Sequence, residues 1–139
     1  MKLVKNIITI DGPSGVGKGT LAFSLAERLE WNVLDSGLLY RLVGYLSLDE
    51  KLESSSEIVL FLNKSKIKLL TNFKEAICEI ELNERILGKE LRNEDIALRA
   101  SELAKEEEIR NAIITIQRNA YDPEKGLIAD GRDMGTVIF

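Results

Sequence analysis

The sequence predicts an α/β domain, a parallel sheet flanked by helices with a small antiparallel β insert in the middle of the chain. Three patterns carry this reading. The β-branched, apolar run Ile7 to Ile10 stops at a glycine-rich stretch, and helix periodicity begins at Lys18. A second apolar run, Trp31 to Leu34, follows that helix, completing strand, loop, helix and strand. This order makes the βαβ unit of a parallel sheet, because parallel neighbours need a long crossover between them. The third pattern is Cys78, Ile80 and Leu82 alternating with Glu79 and Glu81, the period of a half-buried strand.

Taken in order, Leu21, Leu25 and Leu29 with Ala22 and Ala26 mark one face of a first helix ending near Leu29 or Glu30. Leu38 to Leu48, interrupted by Arg41, predicts a second helix. The chain then turns polar, with a short helical stretch at Ile58 to Asn63, and strands at Ile67 to Leu70 and Ala76 to Leu82. Asn83 and Glu84 form a tight turn into a third strand, Arg85 to Leu87, stopped by Gly88. From Asn93 the helix period returns through Ile96, Ala100 and Leu103, then Ile109, Ile113, Ile116 and Ala120, giving two helices joined near Ser101. Asp122 and Pro123 close the second. Gly126 to Ala129 is a further strand running into Asp130, and Thr136 to Phe139 is an apolar run. Residues 1–45 and 91–139 are thus expected to form the core with the helices that follow the insert, and 46–90 the insert.

Of 139 residues, 45% are apolar and 30% charged, the balance of a single folded domain. With no histidine and the single cysteine Cys78, serine–histidine triads, histidine–zinc sites, paired-cysteine redox centres and intrachain disulfides are excluded. Cys78 itself reads as a small buried apolar residue. Lys plus Arg is 19 against 23 Asp plus Glu, a net charge of −4, which argues against a nucleic-acid polymer as partner but not against a nucleotide in a local pocket. No apolar run reaches the roughly 18 residues of a membrane span, and a cytoplasmic location is expected.

The chemistry is concentrated in Gly12-Pro13-Ser14-Gly15-Val16-Gly17-Lys18-Gly19-Thr20, between the first strand and the first helix. That context is what a phosphate-binding loop requires. The glycines let backbone N–H groups converge, the helix start adds partial positive charge, and Lys18 reaches the outer phosphates. Gly19 follows Lys18 and displaces the hydroxyl to Thr20, so an accompanying Mg2+ is expected to be held mainly by phosphates and water. Asp130, at the end of an apolar strand, is a candidate carboxylate near that ion, directly or through water, and Arg132 a candidate phosphate ligand. The alternative reading of Asp130 is an acidic turn residue. Ser36 and Arg41 follow the second strand, at the edge where ligands sit in such sheets. Arg41 offers a planar fork to a phosphate, or a surface ion pair.

The GKGT ending of the loop is similar to that of nucleoside monophosphate kinases. Leu34-Asp35-Ser36-Gly37-Leu38-Leu39-Tyr40-Arg41 resembles the LDSGxxYR segment of the bacterial cytidylate kinases, and Gly126-Leu127-Ile128-Ala129-Asp130-Gly131-Arg132-Asp133-Met134-Gly135-Thr136 resembles that family's GLIADGRDMGT. The resemblance implies a P-loop NTPase-type fold whose antiparallel insert belongs to the monophosphate-binding region. It implies transfer of the γ-phosphoryl of ATP, with Mg2+, to CMP or dCMP, giving ADP and CDP or dCDP. Lys18 and Arg132 would act on the transferring phosphoryl, Ser36, Arg41 and Arg132 on the acceptor, and Ser101, Arg110 and Asp133 on cytosine. Read by themselves, Ser101 is a helix-junction cap and Arg110 a solvated residue. Arg92 and Arg99 read as solvated charge.

Two other readings stand beside this one, a nucleotide-binding fragment with little or no turnover and a phosphate-loop kinase for another small acceptor. The family's chains continue well beyond residue 139, adding sheet strands, a lid with its arginines and a ribose-binding aspartate. A full-length chain of this family is expected to be monomeric. The present one, with an open sheet edge, is expected to self-associate.

Overall fold

The computed structural model describes residues 6–11 and 18–131, with only the backbone for residues 18 and 19. The expectations for Gly12 to Gly17, Arg132, Asp133 and Thr136 to Phe139 lie outside these residues. Strand β1 (Ile7–Asp11) leads toward α1 (Lys18–Leu29), β2 (Asn32–Asp35) and α2 (Ser36–Asp49). Next come α3 (Ser55–Lys64), β3 (Ile67–Asn72), β4 (Ile77–Leu82), β5 (Arg85–Leu87) and a 3-10 turn at Lys89–Arg92. Helices α4 (Glu94–Leu103) and α5 (Glu107–Asn119) and strand β6 (Leu127–Gly131) complete the described fold.

β1, β6 and β2 form a parallel sheet in that order, so the strand latest in sequence sits between the two earliest. Ile7 pairs with Leu127 and Asp11 with Gly131 on one side; Asn32 pairs with Leu127 and Asp35 with Asp130 on the other. The central strand is apolar on both faces, with Leu127, Ile128 and Ala129 buried, as expected where helices cover a parallel sheet. Helices α1 and α2 pack on it. The second sheet is antiparallel in the order β3, β4, β5, with Ile67 opposite Leu82 and Ile80 opposite Leu87. Its β4–β5 turn has both Asn83 (φ 49) and Glu84 (φ 73) left-handed, as a two-residue hairpin demands, and Asn83 Oδ1 accepts the Lys66 N–H at 2.8 Å.

Helix boundaries differ from periodicity where side chains cap the ends. α2 starts at Ser36 rather than Leu38, because the Asp35 carboxylate accepts the Gly37 N–H; α3 starts at Ser55 because Ser54 accepts the Glu57 N–H. The junction of α4 and α5 lies at residues 104–106, not near Ser101. Ser101 remains helical, with its hydroxyl donating to the Ala97 carbonyl at 3.1 Å, and burial of Leu103 keeps that turn on the core.

α2 and α4 approach closely at Gly44. A Cβ there would stand 2.5 Å from the Ile96 carbonyl oxygen and 3.0 Å from the Ala100 nitrogen, both backbone atoms that cannot swing aside. Gly44→Ala is therefore expected to destabilise the chain by roughly 1–3 kcal/mol through forced separation of the two helices. Urea unfolding measures it, and an unchanged midpoint would show that the helices do not pack this closely.

Candidate functional site

Parallel pairing brings the carboxyl ends of three strands to one edge. Asp130 is flanked in register by Ile10 and Asp35, and Gly131 by Asp11. The chain leaves β1 at this edge and re-enters at Lys18, the first residue of α1, so the glycine-rich segment spans from a strand end to a helix start. Ser36 opens α2 from the same edge.

Asp35 is the hinge of this edge. Its Oδ1 accepts the Gly37 N–H at 3.0 Å and so caps α2. Burial pushes its carboxyl pKa above the ordinary value, and the Asp130 charge pushes the same way. Bonds from the Leu38 and Gly37 amides and the charge of Arg41 oppose the rise without cancelling it. The strand register thus sets two acidic side chains side by side, with a half-buried arginine in electrostatic reach. An all-oxygen pair of this kind suits a hard divalent cation. Among the described residues no three acidic, cysteine or histidine side chains gather into a cage, so such an ion would keep waters and take further oxygens from phosphates.

Helix α2 packs against both α4 and α5. Arg110 Nη1 donates to the Ala104 and Lys105 carbonyls at 3.2 and 2.7 Å, satisfying orphan acceptors at the end of α4. The Arg110 charge also reaches Tyr40, whose hydroxyl pKa is raised by burial against the pull of that cation. Tyr40 on α2 is therefore within electrostatic reach of Arg110 on α5. Ser101 is exposed, and its hydroxyl is engaged within α4. Thr20 and Asp35 line a groove of ≈ 540 Å³ between α1 and the β3–β4 hairpin, together with Phe73, Cys78 and Arg92. A larger groove of ≈ 800 Å³, between α3, β3 and α5, contains none of the candidate site residues.

Cys78 is buried, as its surroundings in sequence predict. Arg92 and Arg99 are not merely solvated. Arg92 Nη2 donates to the Cys78 carbonyl at 3.2 Å, and Arg99 Nε donates to Ser47 Oγ at 2.9 Å. Asp35 and Tyr40 were given no role by sequence reasoning. An Asp a few residues ahead of a predicted helix is a candidate cap and could have marked Asp35; nothing local marks Tyr40, whose partner lies on another helix.

The folded state holds the Asp35 proton more tightly than the unfolded chain does. Its contribution to stability is therefore fullest below the ordinary value of 3.8 and is lost as pH rises through the raised folded value. Asn at this position keeps the helix cap and removes the charge. Asp35→Asn is expected to be the more stable chain at neutral pH and to lose that advantage in acid, as urea midpoints at the two pH values will show. A parent that is more stable at neutral pH would contradict the assignment.

A family model described as cytidylate kinase matches residues 8–139. A cytidylate kinase of Pasteurella multocida (strain Pm70) is 41% identical over 135 residues, covering 97% of this chain and 59% of that protein. A cytidylate kinase of Pectobacterium atrosepticum is 40% identical over 139 residues, covering all of this chain and 61% of the relative. A cytidylate kinase of Salmonella paratyphi B shows the same identity and coverage. The chain spans less than two-thirds of the length of these curated relatives. The family match runs from β1 through the whole of β6, taking in both sheets and every residue of the carboxyl edge, and the chain belongs to the cytidylate kinase family.

Proposed function

We propose that this chain carries the phosphoryl-transfer core of a cytoplasmic cytidylate kinase, which moves the γ-phosphoryl of ATP to CMP or dCMP and releases ADP and CDP or dCDP. The observation that carries this reading is the convergence at one sheet edge of the end of β1, Asp130, and the Asp35–Ser36 start of α2. The donor belongs on the loop from Gly12 to Thr20, whose amides and Lys18 neutralise the phosphate oxygens. Arg41 and Arg132 are the forks for the acceptor phosphate, with Ser36 beside them. Mg2+, when bound with the nucleotide, screens the phosphate charges from one another, and Asp130 is the carboxylate that would hold it, directly or through water.

Ser101, Arg110 and Asp133 are the residues proposed to read cytosine. Nη1 of Arg110 is engaged with the Ala104 and Lys105 carbonyls of the α4–α5 junction, which fixes the guanidinium plane and leaves Nε and Nη2 as donors for a base. Cytosine offers acceptors at N3 and O2 beside a donor amino group, so an arginine and a carboxylate together complement it. No helix among the described residues is long and apolar enough to cross a membrane. The deciding experiment is a coupled assay of this chain with ATP, Mg2+ and each of CMP, dCMP, UMP and AMP. ADP release that depends on CMP or dCMP supports the reading, and its absence with ATP still bound would reduce the chain to a nucleotide-binding unit.

Two substitutions separate donor from acceptor. Lys18→Ala is expected to weaken ATP by roughly 1.5–3 kcal/mol, about one to two decades in affinity, since a charge-assisted contact is removed. Calorimetry with equal ATP affinities for parent and variant would move the donor site elsewhere. Asp133→Ala is expected to keep ATP binding and lose the preference for CMP over UMP, because a pocket built on buried hydrogen bonds rejects a base that leaves them unpaired. Competition binding with an unchanged CMP to UMP ratio would remove Asp133 from the pocket.

A further inference from the structure

β2 is an edge strand of the parallel sheet, with β6 on one side. The Asn32 N–H bonds toward that side, to the Gly126 carbonyl at 3.3 Å, so the polar groups of the next residue, Val33, face outward. Side chains of the antiparallel sheet take both of them. Thr71 Oγ1 accepts the Val33 N–H at 2.9 Å, and the Cys78 thiol donates to the Val33 carbonyl at 3.7 Å. Thr71 and Cys78 stand directly opposite one another on β3 and β4, so a single cross-strand pair grips a single residue. Val33 and Cys78 are both buried. Burial is the main reason that the thiol pKa rises to about 12, which keeps it a neutral donor.

This joint replaces a backbone ladder with one hydroxyl and one weak thiol donor. Two braces flank it. The Phe23 and Phe73 rings meet edge to face at 6.4 Å and 85°, and Arg92 is tied to the Cys78 carbonyl. Between α1 and the hairpin lies the ≈ 540 Å³ groove, open space beside the joint. Two residues beyond Val33 is Asp35, which caps α2 and so sets where Ser36 and Arg41 stand.

We propose that Thr71 and Cys78 are positioning residues that act through Val33 to hold the end of β2, and with it the start of α2, where the acceptor nucleotide needs it. The role rests on the acceptor reading given above. Of the two bonds the hydroxyl is the stronger, and its loss leaves a buried N–H without an acceptor. A displacement there is transmitted along an extended strand to the helix cap, whereas the donor loop leaves from β1, two strands away.

The test uses Thr71→Val, which keeps the side chain's shape and removes the acceptor. Cys78 is the only cysteine of the chain, so its rate of reaction with a thiol reagent reports opening of the joint. Relative to the parent, the variant is expected to label on the order of tenfold faster in native buffer and to bind CMP on the order of tenfold more weakly. ATP affinity should be unchanged, and Thr71→Ser should restore both quantities. Unchanged labelling would overturn the joint, and faster labelling with unchanged CMP affinity would overturn the positioning role. Equal losses of ATP and CMP affinity would reduce Thr71 to a stabilising residue and overturn the role as well. A parent chain that binds ATP but not CMP removes the acceptor reading itself, whatever the labelling rates, and the positioning role falls with it. If Thr71→Val does not fold, Cys78→Ala is put to the same comparison of CMP and ATP affinity, with the same outcomes deciding.

Discussion

The insertion of β6 between β1 and β2 is the constraint on which the rest of this molecule depends. Neither early strand pairs with the other; each takes its ladder from a segment roughly ninety or more residues later in the chain. The residues that make the strand fit are Leu127, Ile128 and Ala129, each almost wholly buried, and burying side chains of leucine or isoleucine size contributes about 1.5–3 kcal/mol apiece. The same register carries Asp130 to a place beside Asp35. An acidic pair in a half-buried edge is electrostatically unfavourable, and the fold tolerates it because helix-cap amides and Arg41 oppose the repulsion.

The α2–α4–α5 side is built differently, from helix ends rather than strand ends. Gly44 lets α2 and α4 approach to backbone contact, and Arg110 closes the α4–α5 junction by bonding carbonyls that the helix leaves unsatisfied. One arginine thereby has two duties, terminating a helix and presenting its remaining donors near Tyr40. The outer edge of β2 follows the same economy. A strand edge is a template for pairing with other chains, and here the hydroxyl of Thr71 and the thiol of Cys78 occupy it.

Much of this was legible in the residues. The switch from β-branched run to glycines to a period of four marks β1, the loop and α1, because those signals are local and few other folds satisfy them together. The alternation of Cys78, Ile80 and Leu82 marks β4, and all three are buried as that period requires. The α4–α5 junction was displaced from Ser101 because a serine can bond back to its own helix as readily as it can cap another. Only the burial of Leu103, a tertiary fact, decides between the two. Arg92 and Arg99 look like solvated charge, since nothing within a few residues reveals the carbonyl and hydroxyl that they reach, and Arg110 looks the same because only the turn between α4 and α5 brings the nearby Ala104 and Lys105 carbonyls to it.

The sequence by itself determined the element order, the strand–loop–helix context of Gly12 to Thr20, the buried character of Cys78 and the family resemblance, because periodicity, glycine placement and short motifs are properties of neighbouring residues. Tertiary structure alone decided that β6 lies between β1 and β2, that Asp35 and Asp130 are neighbours, that Arg110 serves α4 while facing Tyr40, and that Thr71 and Cys78 grip Val33. Apart from the bonds of Arg110 to Ala104 and Lys105, those pairings join residues 38 to about a hundred and twenty positions apart. They follow from which apolar faces can be buried together and which buried polar groups still need partners, conditions that exist only once the whole chain has closed on itself.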